Sequence, residues 1–468
     1  MKRPFTLLLC LLASTALFAQ EPLGTWYGTL DVQGKKLSLI FHLSKTGDNY
    51  SSTMDSPQQS AMGIPMGKTT FKDQQLLVEA PNMGMKYTAT FLPEQQQING
   101  IFEQGGLKLP LVLSSKAEKT AVTKLAIRPQ DPKDFPYKQE EVTFNNSKGG
   151  HVLAGTLTLP TDGKASKIVV LITGSGPQNR NEDLLNHRPF LVLSDWLTRH
   201  GIAVLRYDDR GIGKSTGNFN TATSADFADD AETAVSYINS RVDLKGLSVG
   251  LIGHSEGGMI APMVASRNKT VKFIVLMAGP GIPLDQLMLQ QAQDIGKLTG
   301  VSEKNLEKST AANTLVFAAM KKYQNLPQAS YDQKIDSLTR LEISKDPDLR
   351  IKEKNMDELV KTGSKQLKSP WMRYFISFDP GAYLTKVKCP VLAINGTLDS
   401  QVAAKANLSA IQTALQKAGN KKFEIVPFEG LNHLFQKAKT GAPDEYEKIE
   451  ETINPAVLQK ITTWINSL

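Results

Sequence analysis

A chain of 468 residues is too long for one small domain and long enough to bury at least one sizeable core. With 40% hydrophobic and 21% charged residues it has the proportions of an ordinary globular protein, which excludes a disordered or fibrous chain. The net charge of +8 comes from scattered Lys and Arg with no basic run interleaved with aromatics. No nucleic-acid partner is therefore expected, and the charge supports only a mild preference for anionic surfaces or substrates.

The chain opens with "MKRPFTLLLCLLASTALFAQ", a basic start followed by an apolar run that ends in small residues. That is the pattern of a secretory leader, residues 1–19, with cleavage after Ala19 and Ala16 as the rival site. Export to the periplasm or the medium follows. Losing Lys2 and Arg3 takes the charge from +8 to +6. No later segment approaches the roughly 20 apolar residues of a membrane helix, so no integral membrane segment is expected after leader removal. Of the two cysteines only Cys389 remains, which excludes an intramolecular disulfide and a cysteine-ligated zinc site. No metal or other cofactor is expected.

Residues 20–115 alternate apolar and polar positions between Gly and Pro punctuation, as in "GTWYGTLDVQGKKLSLIFHLS" and "KYTATFLP". They predict a small antiparallel β domain, open or closed as a barrel, with Met54, Met62, Met66, Met83 and Met85 in its loops as core filling or a soft apolar lining. Residues 116–136 are charged and Pro-rich and read as a linker. From 137 to 468 the texture changes. A leading hairpin ("EEVTFNN", "HVLAGTLTLP") is followed by "KIVVLITGSG", "IAVLRYD", "SVGLIGHS", "KFIVLMAG", "PVLAING" and "FEIVPFEG", short apolar runs separated by helical stretches. That alternation predicts an α/β domain with a mainly parallel sheet covered on both faces. Between about 281 and 370 only helical spacing appears, which predicts a helical cap inserted between two strands.

Two serines fit G-x-S-x-G: Ser215 in "GIGKSTG" and Ser255 in "GHSEGG". A nucleophile on this motif needs a strand running into the turn and a helix leaving it, so that the hydroxyl stands at the sheet's C-terminal edge. Ser215 is followed by the polar loop "TGNFNTATSADF", and Asp208 stands where a phosphate-binding loop would need Gly. Ser215 therefore reads as part of a structural loop, with Asp209 and Arg210 pinning it. Ser255 follows the apolar run Leu247–Ile252 and precedes an apolar helix.

A serine hydroxyl needs a base, and the base needs an orienting carboxylate, in the chain order Ser, acid, His for this type of elbow. Of six histidines only His433, in "GLNHLF", follows a late strand, while His254 adjoins the nucleophile and reads as packing beside the site. Asp399 ends the strand "VLAINGTLD" and is the candidate acid, with a helix cap as its alternative role and Glu429 as a rival. The oxyanion donors are read as the backbone N–H of Glu256 and, from the "TGSGPQNRNED" loop, that of Ser175, with Gly176 second because Pro177 has no N–H.

Taken together, "GSGPQNRNED", "YDDRGIGKSTG", "GHSEGG", "SPWMRYFISFDP", "CPVLAINGTLDSQV" and "GLNHLF" resemble the α/β-hydrolase superfamily. More narrowly they resemble secreted bacterial carboxylesterases with a β-rich N-terminal domain and a helical cap, relatives of serine aminopeptidase-like hydrolases. The resemblance spans roughly residues 140–468. It implies an α/β-hydrolase fold and cleavage of a small-molecule ester through an acyl-enzyme, with an exopeptidase, whose substrate amine Glu256 or Glu182 would receive, as the alternative and a non-catalytic ligand-binding protein as the third reading. Thr173 stands where many relatives have His, and Asn179 and Asn181 where Asp is common.

Overall fold

The computed structural model describes residues 21–32, 35–56, 61–80, 84–104, 107–116, 128–161, 163, 165–345 and 356–468. The leader expected over 1–19, residues 117–127 of the expected linker, and Met83 lie outside them. The chain forms two compact units, one ending near residue 122, with most of the other running from Thr123 to Leu468.

The first unit is a nine-stranded sheet of β1 (Gly24–Val32), β2 (Lys35–Thr46), β3 (Asn49–Ser56), β4 (Ala61–Pro65), β5 (Lys68–Lys72), β6 (Gln75–Ala80), β7 (Met85–Leu92), β8 (Gln97–Gln104) and β9 (Leu107–Ser114). Their spatial order is β4-β3-β2-β1-β9-β8-β7-β6-β5. The two ends are drawn together by Met66 N–H donating to Ser52 O at 3.0 Å and by the Ser52 and Thr69 hydroxyls at 2.7 Å, making the sheet nearly a barrel. Period-two alternation sends Trp26, Phe41, Val78, Tyr87 and Ile98 inward to fill it. Met54 and Met85 prove to be buried strand residues of that filling, not loop residues, because each sits on the inward face of its strand.

The second unit carries the eight-stranded sheet β10-β11-β13-β12-β14-β15-β16-β17. β10 (Lys138–Asn146) and β11 (His151–Leu159) form the leading antiparallel hairpin, and β11 is antiparallel to β13 (Ala203–Tyr207). β12 (Lys167–Ile172), β13, β14 (Ser248–His254), β15 (Val271–Met277), β16 (Val391–Gly396) and β17 (Phe423–Phe428) run parallel. Their apolar runs are buried on both faces, in two cores. One is built on α2 (Ser224–Ser240), α3 (Glu256–Arg267) and α10 (Ala404–Lys417), the other on α1 (Pro189–Arg199) and α11 (Pro455–Asn466). Between β15 and β16 come α4 (Leu284–Leu298), α5 (Glu303–Tyr323), α6 (Gln328–Ser344), α7 (Met356–Ser364), α8 (Pro370–Ile376) and the short α9 (Gly381–Leu384), with a small core of their own around Phe317, Tyr331 and Met372. Among the described residues no helix is long and apolar enough to cross a membrane.

Residues 128–136, within the expected linker, are not a free tether. The Arg128 guanidinium donates to the carbonyls of Leu185, Asn186, Glu447 and Ile449, and Gln130 bonds the backbone of Thr452 and Ile453 in both directions. The Pro-rich composition that reads as a linker serves equally well for a strap lacking its own hydrogen-bonded ladder.

Candidate active site

The site lies at the C-terminal ends of the parallel strands. β14 runs directly into Ser255, and α3 begins with the next residue. The turn forces Ser255 to φ 53°, ψ −115°, a region that costs a non-glycine residue about 1–3 kcal/mol and persists only where neighbours hold it. Here its N–H donates to Met277 O on β15 at 2.8 Å, and its carbonyl accepts from Gly258 N–H at 2.9 Å. The flanking glycines are required by close approach. A Cβ on Gly253 would lie 1.9 Å from Gly257 O, and one on Gly257 would lie 2.1 Å from Ile172 O. No side chain fits where β14, β12 and α3 converge.

Ser215 has no such setting. Its hydroxyl is buried, donates to Asp208 O at 2.7 Å and accepts from Ala154 N–H at 2.9 Å, which ties its loop to β11. Arg210 pairs with Asp230, and Asp208 and Asp209 reach across to the loop after β12. The structural role read for that loop thus extends to holding the candidate oxyanion loop.

His433 sits beyond β17, and its Nδ1 lies 2.8 Å from Asp399 Oδ2 beyond β16, with both side chains buried. The other oxygen, Asp399 Oδ1, accepts the N–H groups of Gln401 and Val402 at 2.8 Å each. Oδ1 closes the turn ahead of α10, whose N-cap is Ala403 with no side-chain cap bond, so the helix-cap role weighed for Asp399 is not the one this oxygen takes. Glu429 is exposed.

Ser255, His433, Glu256, Gly174 and Ser175 line one cavity of about 400 Å³. The cap contributes Leu287, Met288, Trp371, Met372 and Phe375, and Val402, Leu434 and Tyr446 close the opposite side. No Lys or Arg is among the described lining residues. The strand-β12 loop is fixed by carboxylates. Thr173 Oγ1 donates to Asp209 Oδ1 at 2.9 Å, Gln178 N–H to Asp209 Oδ2 at 2.9 Å, Arg180 N–H to Asp208 Oδ1 at 2.9 Å, and Gly174 N–H to Glu182 Oε1 at 2.8 Å. Burial pushes the Asp209 carboxyl well above the usual range, and the Glu256 and Asp230 charges push the same way.

Two contacts escape sequence reasoning. The Glu256 carboxylate, the residue after the nucleophile, accepts Ser224 O–H at 2.6 Å from the start of α2 and Trp371 Nε1–H at 3.0 Å from the cap. Among the described residues no ion pair to it is found, and burial raises its pKa despite the Ser224, Trp371 and Ser175 donors. Trp371 in turn stacks on Phe375 at 4.5 Å. His254 bonds Glu182 and the backbone of His433. The conspicuous Trp of "SPWMRYF" and the acid of "NRNED" were the available signals, but neither says what it touches. Among the described residues no group of three or more His, Cys, Asp or Glu could hold a metal ion.

With this geometry in place, a family model described as serine aminopeptidase, S33, matches residues 188–437, just over half of the chain. The chain belongs to that family. As a serine aminopeptidase S33 family member of α/β-hydrolase fold it is a hydrolase. It is 27% identical over 342 residues to the esterase EstD of Thermotoga maritima, a match covering 72% of this chain and 68% of EstD. It is 30% identical over 123 residues to YfhR of Escherichia coli K12, covering 26% and 40% of the two chains. Among solved structures, the Pyrococcus furiosus esterase Pf2001 matches with a TM-score of 0.41 and 18% identity, covering 72% of this chain and 93% of its own.

Proposed function

We propose that this hydrolase is an exported serine carboxylesterase working through an acyl-enzyme. Ser255 Oγ attacks the ester carbonyl carbon while its proton passes to His433 Nε2, and Asp399 holds the imidazole with Nδ1–H toward itself. The N–H groups of Glu256 and Ser175 receive the oxyanion, with Gly176 as the alternative second donor. Collapse breaks the C–O bond, and the leaving alkoxide takes the proton from His433. Water then repeats the sequence at the acyl-enzyme, releasing the carboxylic acid and restoring Ser255.

The observation that carries this reading is the buried 2.8 Å His433–Asp399 bond facing the same cavity as Ser255 on its elbow. The name of EstD supports ester cleavage. The cavity favours uncharged, largely apolar esters, since an anionic acyl group would lose its hydration there without a counter-charge. The expected measurement is hydrolysis of p-nitrophenyl butyrate far above that of the p-nitrophenyl ester of succinate, by at least about a hundredfold in kcat/KM, roughly 3 kcal/mol of unmatched desolvation. Equal rates would contradict it.

The exopeptidase reading keeps one specific support. Among the described residues the Glu256 carboxylate at the cavity has only neutral donors, which leaves it to receive a substrate ammonium. Cleavage of aminoacyl anilides exceeding that of the corresponding esters would favour it.

A further inference from the structure

Sequence reading leaves His254 as a packing residue, but its hydrogen bonds are those of a worked part. Its Nε2 lies 3.1 Å from the His433 carbonyl oxygen, and its Nδ1 lies 2.9 Å from Glu182 Oε1. The two imidazoles are 4.9 Å apart, centre to centre. A carbonyl oxygen only accepts, so Nε2 must carry a proton. Glu182 Oε1 also accepts the Gly174 N–H at 2.8 Å, and with that oxygen as the acceptor His254 Nδ1 is the donor of the 2.9 Å bond. All three side chains are buried. Glu182 is itself held at φ 54°, a backbone cost that its position must repay.

The pair joins three segments: the end of the nucleophile strand (His254), the base loop (His433), and the loop carrying the candidate oxyanion donor (Gly174, Glu182). A Cβ at Gly174 would stand 3.3 Å from both Glu182 Oε1 and Ser255 Cβ, so the carboxylate and the nucleophile lie no more than about 6.6 Å apart across that glycine. Glu182 from the β12 loop, with His433 and Asp399 from the loops after β17 and β16, are the titratable groups that face His254. Burial opposes a charge on His254 most strongly of any one cause, but Glu182, the His433 carbonyl and Asp399 together leave its pKa raised.

We propose that Glu182 and a doubly protonated His254 form a positioning pair that sets the His433 backbone, and with it the base, against Ser255. This rests on His433 being the base, and the tests separate the two claims. In ¹⁵N-histidine-labelled wild type at pH 7, both ring nitrogens of His254 are expected to be protonated, and Glu182→Gln is expected to leave one unprotonated. A wild-type His254 with one bare nitrogen at pH 7 would overturn the pairing whatever the enzyme's activity. In ester turnover, His254→Asn, whose amide reaches the Nδ1 position but not the His433 carbonyl, should lower kcat roughly 10–100-fold with KM within twofold, the usual penalty for a misplaced catalytic group. His254→Gln, whose amide reaches the Nε2 position, should recover most of that loss. A kcat for His254→Asn within twofold of wild type would overturn the positioning role. Undiminished turnover by Ser255→Ala would instead sink the reading of the site on which the role depends.

Discussion

Asp399 divides its two oxygens between two tasks, and two substitutions separate them. Oδ2 receives His433 Nδ1, and Oδ1 receives the Gln401 and Val402 N–H groups. In Asp399→Asn the amide oxygen keeps the two backbone donors, so the NH₂ must face His433. The imidazole then carries its proton on Nε2 and cannot accept one from Ser255. Turnover should fall roughly 10³–10⁴-fold, as for other triads forced into the wrong tautomer, while thermal stability changes little. In Asp399→Ala the same catalytic loss should come with two orphaned N–H groups, of which Val402 lies in a buried segment. That costs about 1–3 kcal/mol per group left unpaired and lowers Tm by several degrees. The assay is p-nitrophenyl ester turnover alongside calorimetric unfolding of both variants. Asp399→Asn retaining a tenth or more of wild-type kcat would refute the tautomer argument. Equal destabilisation by the two variants would refute the assignment of Oδ1.

Ser215→Ala removes a buried hydroxyl that both donates and accepts, and it should cost about 1–3 kcal/mol in stability with kcat per folded molecule unchanged; denaturant unfolding and burst titration check this. Asp209 gives a pH-dependent expectation. Its folded pKa lies well above the unfolded value, so the folded chain holds a proton that the unfolded chain releases. Its contribution is therefore most favourable below about pH 4 and declines as pH rises toward the folded value. Asp209→Asn, which can accept from Gln178 N–H and donate to Thr173, should raise Tm relative to wild type more at pH 8 than at pH 5; a smaller gain at pH 8 would contradict the sign.

What the sequence makes legible here is local. The β14–Ser255–α3 elbow is written in consecutive residues, and the strands announce themselves as short apolar runs, so the parallel sheet and the elbow can be read directly. The steric reason for the elbow glycines becomes visible only when Ile172 O is brought to Gly257. The contacts that organise the site are not local. Trp371 meets Glu256 across 115 residues and His254 meets Glu182 across 72, and nothing in either neighbourhood encodes its partner. The strap at 128–136 escapes for a related reason. Arg128 and Gln130 are fixed by carbonyls more than 300 residues downstream, and a segment satisfied that way has no periodicity of its own.

A fluorophosphonate reacted with the folded protein and located by peptide mass spectrometry decides whether Ser255, and not its motif twin Ser215, is the nucleophile. One phosphonyl group on Ser255, with labelling and ester turnover lost together in Ser255→Ala and both retained in Ser215→Ala, is the predicted result. A folded Ser255→Ala protein that still labels and still turns over esters would contradict the account.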